Sequence, residues 1–71
     1  MIQIDGVYFD NYKIKKVCMD LDTCKVYIDC EFYSKDKIRK KEFVRNSDCD
    51  VNIDKIIEDL EQIIKDGSSI L

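Results

Sequence analysis

The sequence predicts an α+β fold: a small antiparallel β-meander of three to four strands with one C-terminal α-helix packed on one face. Two patterns support this prediction. Apolar residues recur with a helical period in residues 51–67 and with a period of two in residues 24–33. Because the chain has 71 residues, residues 1–71 are expected to form a single β-β-β-(β)-α domain.

The C-terminal segment has the clearest pattern. Its apolar residues follow the i, i+3, i+4, i+7 spacing of one helix face: Ile53, Ile56, Ile57, Leu60, Ile63 and Ile64. Asn52 or Asp50 can cap the N-terminus, and Asp54 lies in the first turn, where the helix dipole favours a carboxylate. Lys65 in the last turn and Gly67 at the C′ position are typical of a helix end.

Residues 24–33 predict a strand with one buried face. The apolar face carries Cys24, Val26, Ile28, Cys30 and Phe32. The other face carries Lys25, Tyr27, Asp29, Glu31 and Tyr33. A turn over residues 34–37 leads into a returning strand over residues 38–45.

The register of this hairpin can be predicted from charge, because opposite charges directly across an antiparallel pair contribute about 0.2–1 kcal/mol. The favoured register pairs Phe32 with Ile38, Glu31 with Arg39 and Asp29 with Lys41. It places Lys40 and Glu42 on the helix side, where inward charges discourage edge-to-edge aggregation.

The first part of the chain predicts further strands. Asp5 and Gly6 between two short apolar segments are a type I′ hairpin signal. Residues 12–19 read as a strand, followed by a connection over residues 20–23. The sequence does not show which face of this strand is buried, because its apolar residues do not all alternate. Either a bulge or burial of both faces would explain this pattern.

The composition excludes several kinds of enzyme. The chain has no His and only two Gly, so it cannot build a Ser-His-Asp triad, a His zinc site or a Gly-rich phosphate cradle. A one-helix domain also has little room for a pocket of about 300 Å³ unless two copies build one together. We therefore expect a protein that is not an enzyme and that needs no cofactor or metal.

The four cysteines are expected to be free thiols. Cys24 and Cys30 share one predicted strand and would lie roughly 20 Å apart, too far for a common metal ion or a disulfide. A Cys18–Cys24 or Cys30–Cys49 disulfide and a metal site are the alternatives. No secretory signal or membrane-spanning run is recognised, so a reducing cytoplasm is the expected compartment.

Charge is unevenly distributed along the chain. Residues 1–34 carry a net charge of −2, residues 35–45 carry +4 and residues 46–71 carry −5. The acidic helix, with Asp54, Glu58 and Glu61, is one candidate binding surface for a basic protein, such as a nucleic-acid-binding protein. Direct binding of nucleic acid is not expected from a chain with a pI of 4.8.

The outer sheet face is the other candidate surface. In the predicted register it exposes aromatic and basic residues together, namely Tyr27, Tyr33, Arg39, Lys41 and Arg45, with Phe43 beside them. Aromatic residues and Arg are enriched at protein interfaces, so this face predicts a protein partner or a homodimer.

These observations favour a small, acidic, non-catalytic interaction protein that inhibits or regulates a macromolecular partner. With 11 Ile, 10 Lys and no Ala, the composition is typical of AT-rich genomes, including those of phages. Small acidic phage proteins often inhibit host defence enzymes, as anti-CRISPR proteins do. The inhibitor hypothesis depends on this analogy with a class of proteins. A homodimeric protein that binds a small ligand such as a nucleotide, and a phage structural or accessory protein, are the alternatives.

Overall fold

The computed structural model describes residues 2–50 and 52–66 and has the predicted α+β fold. Its elements are β1 (Ile2–Ile4), β2 (Val7–Phe9), β3 (Asn11–Met19), β4 (Lys25–Ser34), β5 (Lys37–Asn46) and α1 (Ile53–Lys65). β1 and β2 form a two-stranded sheet, and β3, β4 and β5 form a three-stranded antiparallel sheet in that order. The predicted C′ residue Gly67 lies outside the described residues.

The β1–β2 turn confirms the type I′ prediction. Asp5 has φ 51° and Gly6 has φ 80°, so both central residues lie in the left-handed region that this turn requires. Gly6 adopts this conformation without steric cost, and a short polar residue such as Asp tolerates it. The turn closes on the pair Ile4 and Val7.

A bulge in β3 resolves the facing of that strand. Ile14 pairs with Cys30 of β4, but the next paired residue, Lys16, lies opposite Asp29, so Lys15 is the extra residue. After the bulge the alternation is reversed. As a result the apolar residues on both sides of it pack against the core: Ile14, Val17 and Met19.

The β4–β5 hairpin has a register one residue away from the predicted one, so that prediction was wrong. Ser34 pairs with Lys37 around a two-residue turn, and the pairs continue as Phe32 with Arg39, Glu31 with Lys40, Cys30 with Lys41 and Asp29 with Glu42. A shift of one residue moves every side chain of β5 to the opposite face. Lys40 and Glu42 therefore lie on the outer face, not on the helix side.

Burial of Phe43 explains the observed register. Phe43 lies opposite Ile28 on the inner face, where it is only 4% exposed and packs edge-on against Phe32. An aromatic side chain buries roughly 150–250 Å², and this gain exceeds that of the surface charge pairs on which the predicted register relied. The register leaves Asp29 opposite the like-charged Glu42, but Lys16 of β3 lies on its other side.

The core lies between the inner face of the three-stranded sheet and a second layer made of α1 and the β1–β2 hairpin. The sheet contributes the buried residues of the predicted apolar strand face: Val26, Ile28, Cys30 and Phe32. α1 contributes Ile56, Leu60 and Ile64, while the hairpin contributes Ile4 and Phe9. Asn52, one of the two predicted candidates, is the N-cap, and its Oδ1 accepts a hydrogen bond from the Asp54 N–H at 3.0 Å.

The prediction of free thiols was wrong for Cys24 and Cys49 and is confirmed for Cys18 and Cys30. Cys24 and Cys49 form a disulfide with a Cα–Cα distance of 5.1 Å, a pairing that neither sequence alternative contained. Cys24 does not belong to β4; it lies in the preceding turn with φ 60°, so its side chain is not on the strand face. Cys18 is an exposed free thiol and Cys30 is a buried one.

Candidate functional site

The structure separates the residues that the sequence grouped on one outer sheet face. Tyr27 and Tyr33 lie on that face and are half-buried. The shift in the β5 register moves Arg39, Lys41 and Arg45 to the inner face of the sheet. The predicted aromatic and basic patch is therefore not one surface.

Asp5 of the β1–β2 turn forms ion pairs with two of these basic residues, Arg39 and Lys41. Its carboxylate lies 2.8 Å from Arg39 Nη2 and 3.0 Å from Lys41 Nζ. The Lys41 ammonium also lies 5.8 Å from the centre of the Phe43 ring. These contacts attach the hairpin to β5, so Arg39 and Lys41 have a structural role within the chain.

Arg45, the third basic residue that the observed register places on the inner face, differs from Arg39 and Lys41. It lies opposite Val26, is half-buried, and reaches only the carbonyl oxygen of Val44, at 3.5 Å. Among the described residues, no carboxylate lies within 4.0 Å of its guanidinium.

The acidic residues of α1 fall into three groups. Asp54 and Glu58 are exposed and, being four residues apart, share one side of the helix. Asp59 pairs with Lys55 at 3.1 Å. Glu61 instead accepts a hydrogen bond from the Tyr12 hydroxyl at 2.6 Å and is half-buried against β3, so it is not a free surface charge.

Two groups beneath α1 have strongly raised pKa values. Burial, followed by the hydrogen bond to Glu61 and the charge of Glu61, raises the pKa of Tyr12 to about 12. Burial also raises the pKa of the Cys30 thiol to about 11, with smaller contributions from Asp29 and Glu61. A buried thiol of high pKa is a poor nucleophile, so Cys30 has a packing role.

We expect these two groups to make the fold sensitive to alkali. Each favours its neutral form in the folded state, so its stabilising contribution is complete below its ordinary pKa and is lost as the pH rises through the raised value. The window is pH 9 to 11 for Cys30 and pH 10 to 12 for Tyr12. Urea unfolding over this range should show a falling free energy of unfolding. Tyr12→Phe should flatten the decline above pH 10, and an unchanged slope would contradict this assignment.

The strands of the large sheet and the rest of the chain differ in the sign of their net charge. The three strands of the large sheet carry nine basic and three acidic residues, a net charge of +6. The rest of the chain carries three basic and twelve acidic residues, a net charge of −9. This difference is hidden along the sequence, because the lysines of β3 lie between acidic turns.

The outer face of the three-stranded sheet has a shallow hollow with a volume of about 380 Å³. It is lined by five charged residues of the outer face and by Cys30 and Lys41, which lie on the inner face. The five are Lys15, Lys40, Asp29, Glu31 and Glu42. This volume is larger than the pocket of about 300 Å³ for which a one-helix domain was expected to have little room. However, ligand pockets are mostly apolar and aromatic, and the charged lining of this hollow gives little support to the small-ligand alternative.

The described residues contain no cluster of three or more His, Cys, Asp and Glu side chains that could hold a metal ion. Within the same part of the chain, α1 is too short and too polar to cross a membrane. No protein-family model, curated protein or solved structure matches this chain. The candidate surfaces therefore depend on the geometry and charge of the chain itself.

Proposed function

We propose that this chain is a small non-catalytic protein that binds a macromolecular partner and inhibits or regulates it. The observation that carries the proposal is a set of exposed carboxylates on α1 and the loop before it that have no cation within 4.0 Å among the described residues: Asp48, Asp50, Asp54 and Glu58. A surface of one sign attracts a partner of the opposite sign and accelerates the encounter. The expected partner is a basic protein, and a nucleic-acid-binding protein is the class that best fits this description.

The contact surface of this proposal is the exposed side of α1 with the loop before it. Asp54 and Glu58 form a like-charged i, i+4 pair, an arrangement that slightly destabilises a helix. Neither carboxylate has a cation within 4.0 Å among the described residues. Asp48 and Asp50, in the loop that precedes the N-cap, are also exposed and add two negative charges. These four carboxylates are available to an incoming basic surface.

An inhibitor of a host defence enzyme, of the phage anti-defence type, remains the proposed biological class by analogy alone. A small acidic protein can inhibit such an enzyme by covering the basic surface on which the enzyme holds nucleic acid. The cytoplasm, where such enzymes act, is the proposed location. An operon that contains phage or defence genes would support this class.

Charge reversal on α1 tests the proposal. The double variant Asp54→Lys, Glu58→Lys should associate with the partner at least tenfold more slowly at about 0.1 M salt, because electrostatic steering acts on the association rate. The partner is first captured from a host lysate at low salt and identified. Rates are then measured by biolayer interferometry at ~0.1 M and ~1 M salt, between which the Debye length falls from ~10 Å to ~3 Å.

A matched control variant tests whether the effect depends on where the charge is reversed and not only on the change in net charge. Asp22→Lys, Asp36→Lys makes the same change in net charge at two exposed turn residues of the large sheet. It should associate nearly as fast as the unmodified chain. Glu61 is left unchanged because its reversal would break the hydrogen bond to Tyr12. Association of the α1 variant at the original rate would contradict the proposal.

A further inference from the structure

We propose that the outer face of the three-stranded sheet binds single-stranded nucleic acid, a further activity that does not depend on the protein contact proposed for α1. This face is the part of the molecule on which lysines and tyrosines lie together. Phosphate attracts lysine, and aromatic rings offer a stacking surface for bases, so the two residue types together are typical of single-strand binding.

The lysines of this face are free to bind an external anion. Lys13, Lys15 and Lys16 lie along the edge strand β3, and Lys40 lies on β5. All four are exposed, and among the described residues no carboxylate comes within 4.0 Å of any of their ammonium groups. The bulge brings Lys15 and Lys16 together at this edge, where strict alternation would have separated them.

Lysines from both edge strands approach the same central carboxylate. The pKa of Glu31 is lowered, first by the hydrogen bond that the Tyr33 hydroxyl donates and then by the charges of Lys15, Lys40 and Lys13. Register places Lys13 and Lys40 on either side of Glu31. At Glu31 the central strand β4 thus has a lysine on each side, and Tyr33 lies on the same face.

The dimensions of the face suit one strand of nucleic acid. Three strands at a spacing of ~4.8 Å make a surface roughly 10 Å wide between the outer strand axes, and ten residues at ~3.3 Å make it about 30 Å long. Phosphates can follow the lysines of β3 while the bases lie over β4. Tyr33 and Tyr27 then lie near the two ends of the row of bases over β4.

The carboxylates of the central strand favour a single strand over a duplex. A duplex would present its phosphates to this face, and Asp29 and Glu31 would repel them. A single strand can turn its bases toward β4 instead, where carboxylates accept hydrogen bonds from exocyclic amino groups. Cytosine and adenine carry such groups and thymine does not, so the face should prefer the first two.

The direct test is fluorescence anisotropy with labelled 12-mers of dC, dA and dT and with a 12-base-pair duplex. We expect the single strands to bind, with dC and dA at least ~fivefold tighter than dT and the duplex weaker than all three. If four lysines contact phosphates, the affinity for single strands should fall roughly fiftyfold between 50 and 200 mM salt.

Matched variants locate the binding. Lys13→Gln, Lys15→Gln should weaken binding at least ~tenfold at low salt and halve the salt dependence, since two of four contacts are removed. Lys55→Gln, Lys65→Gln removes the same charge from α1 and should change affinity less than about twofold. Thermal unfolding checks that each variant is folded.

A tyrosine pair of variants tests stacking. Tyr33→Ala should weaken binding at least ~fivefold, whereas Tyr33→Phe keeps the ring and should bind as the unmodified chain does. Failure of the unmodified chain to bind any single strand at about 50 mM salt, an equal loss in the α1 control, or equal affinity for the duplex would each overturn the proposal. No protein partner is present in these experiments, so their outcome is separate from that of the proposed function.

Discussion

Leu60→Ala is expected to lower the free energy of unfolding by about 2–5 kcal/mol. Leu60 is 0% exposed and lies between Ile56 and Ile64 on the buried side of α1. Truncation to Ala removes apolar contacts and leaves a cavity that a thin core cannot close. A domain of this size has a total stability of roughly 4–10 kcal/mol, so this variant could unfold under mild conditions.

Urea unfolding followed by circular dichroism measures this loss, and neighbouring positions of α1 serve as controls. Ile57 is only half-buried and Ile63 is 37% exposed, so Ile57→Ala should cost less than Leu60→Ala, and Ile63→Ala less again. A loss below about 0.5 kcal/mol for Leu60→Ala, the range of surface substitutions, would mean that this side of α1 does not pack on the sheet.

Local signals predicted the ends and turns of this fold well. Asn52 caps α1 because its side chain can reach the backbone N–H two residues on, and the Asp5–Gly6 turn follows from two residues that tolerate positive φ. Interrupted alternation in residues 12–19 correctly indicated a bulge as one of two solutions. Each of these features depends on a few neighbouring residues, so sequence is enough to predict it.

The register of the β4–β5 hairpin failed because it depends on more than one pair of strands. The predicted register optimised charge between β4 and β5 alone. In the structure Glu31 and Asp29 also face Lys13 and Lys16 of β3, so β5 does not have to neutralise both carboxylates. Burial of Phe43 then decides the register, and with it the face on which every basic residue of β5 lies.

The candidate surfaces were predicted only in part for the same reason. Asp54 and Glu58 are exposed as expected, because their position on the helix follows from periodicity. Glu61 has the same periodicity but is bound by Tyr12, a residue 49 positions away in sequence. Contacts of this kind, and the gathering of lysines on one sheet, arise from strand pairing and have no local signal.

Reduction of the Cys24–Cys49 disulfide is expected to lower the free energy of unfolding by about 3–4 kcal/mol, from the chain entropy of the loop that it closes. The two residues are 25 positions apart, so the bond restricts about a third of the unfolded chain. It joins the turn before β4 to the loop before α1. In the folded state the Ser47 hydroxyl also donates a hydrogen bond to the Cys24 carbonyl, which keeps the two segments adjacent without the sulfur bridge.

Alkylation and urea unfolding test this expectation together. Protein prepared under oxidising conditions and denatured without reductant should show two reactive thiols, Cys18 and Cys30, and four after reduction. The Cys24→Ser, Cys49→Ser variant should have the lower stability with or without reductant, while Cys18→Ser should change stability by less than about 0.5 kcal/mol. Four reactive thiols in the unreduced protein would show that the bridge does not form. Because α1 is also held by three buried side chains and by the Tyr12–Glu61 hydrogen bond, reduction should weaken the fold without detaching the helix.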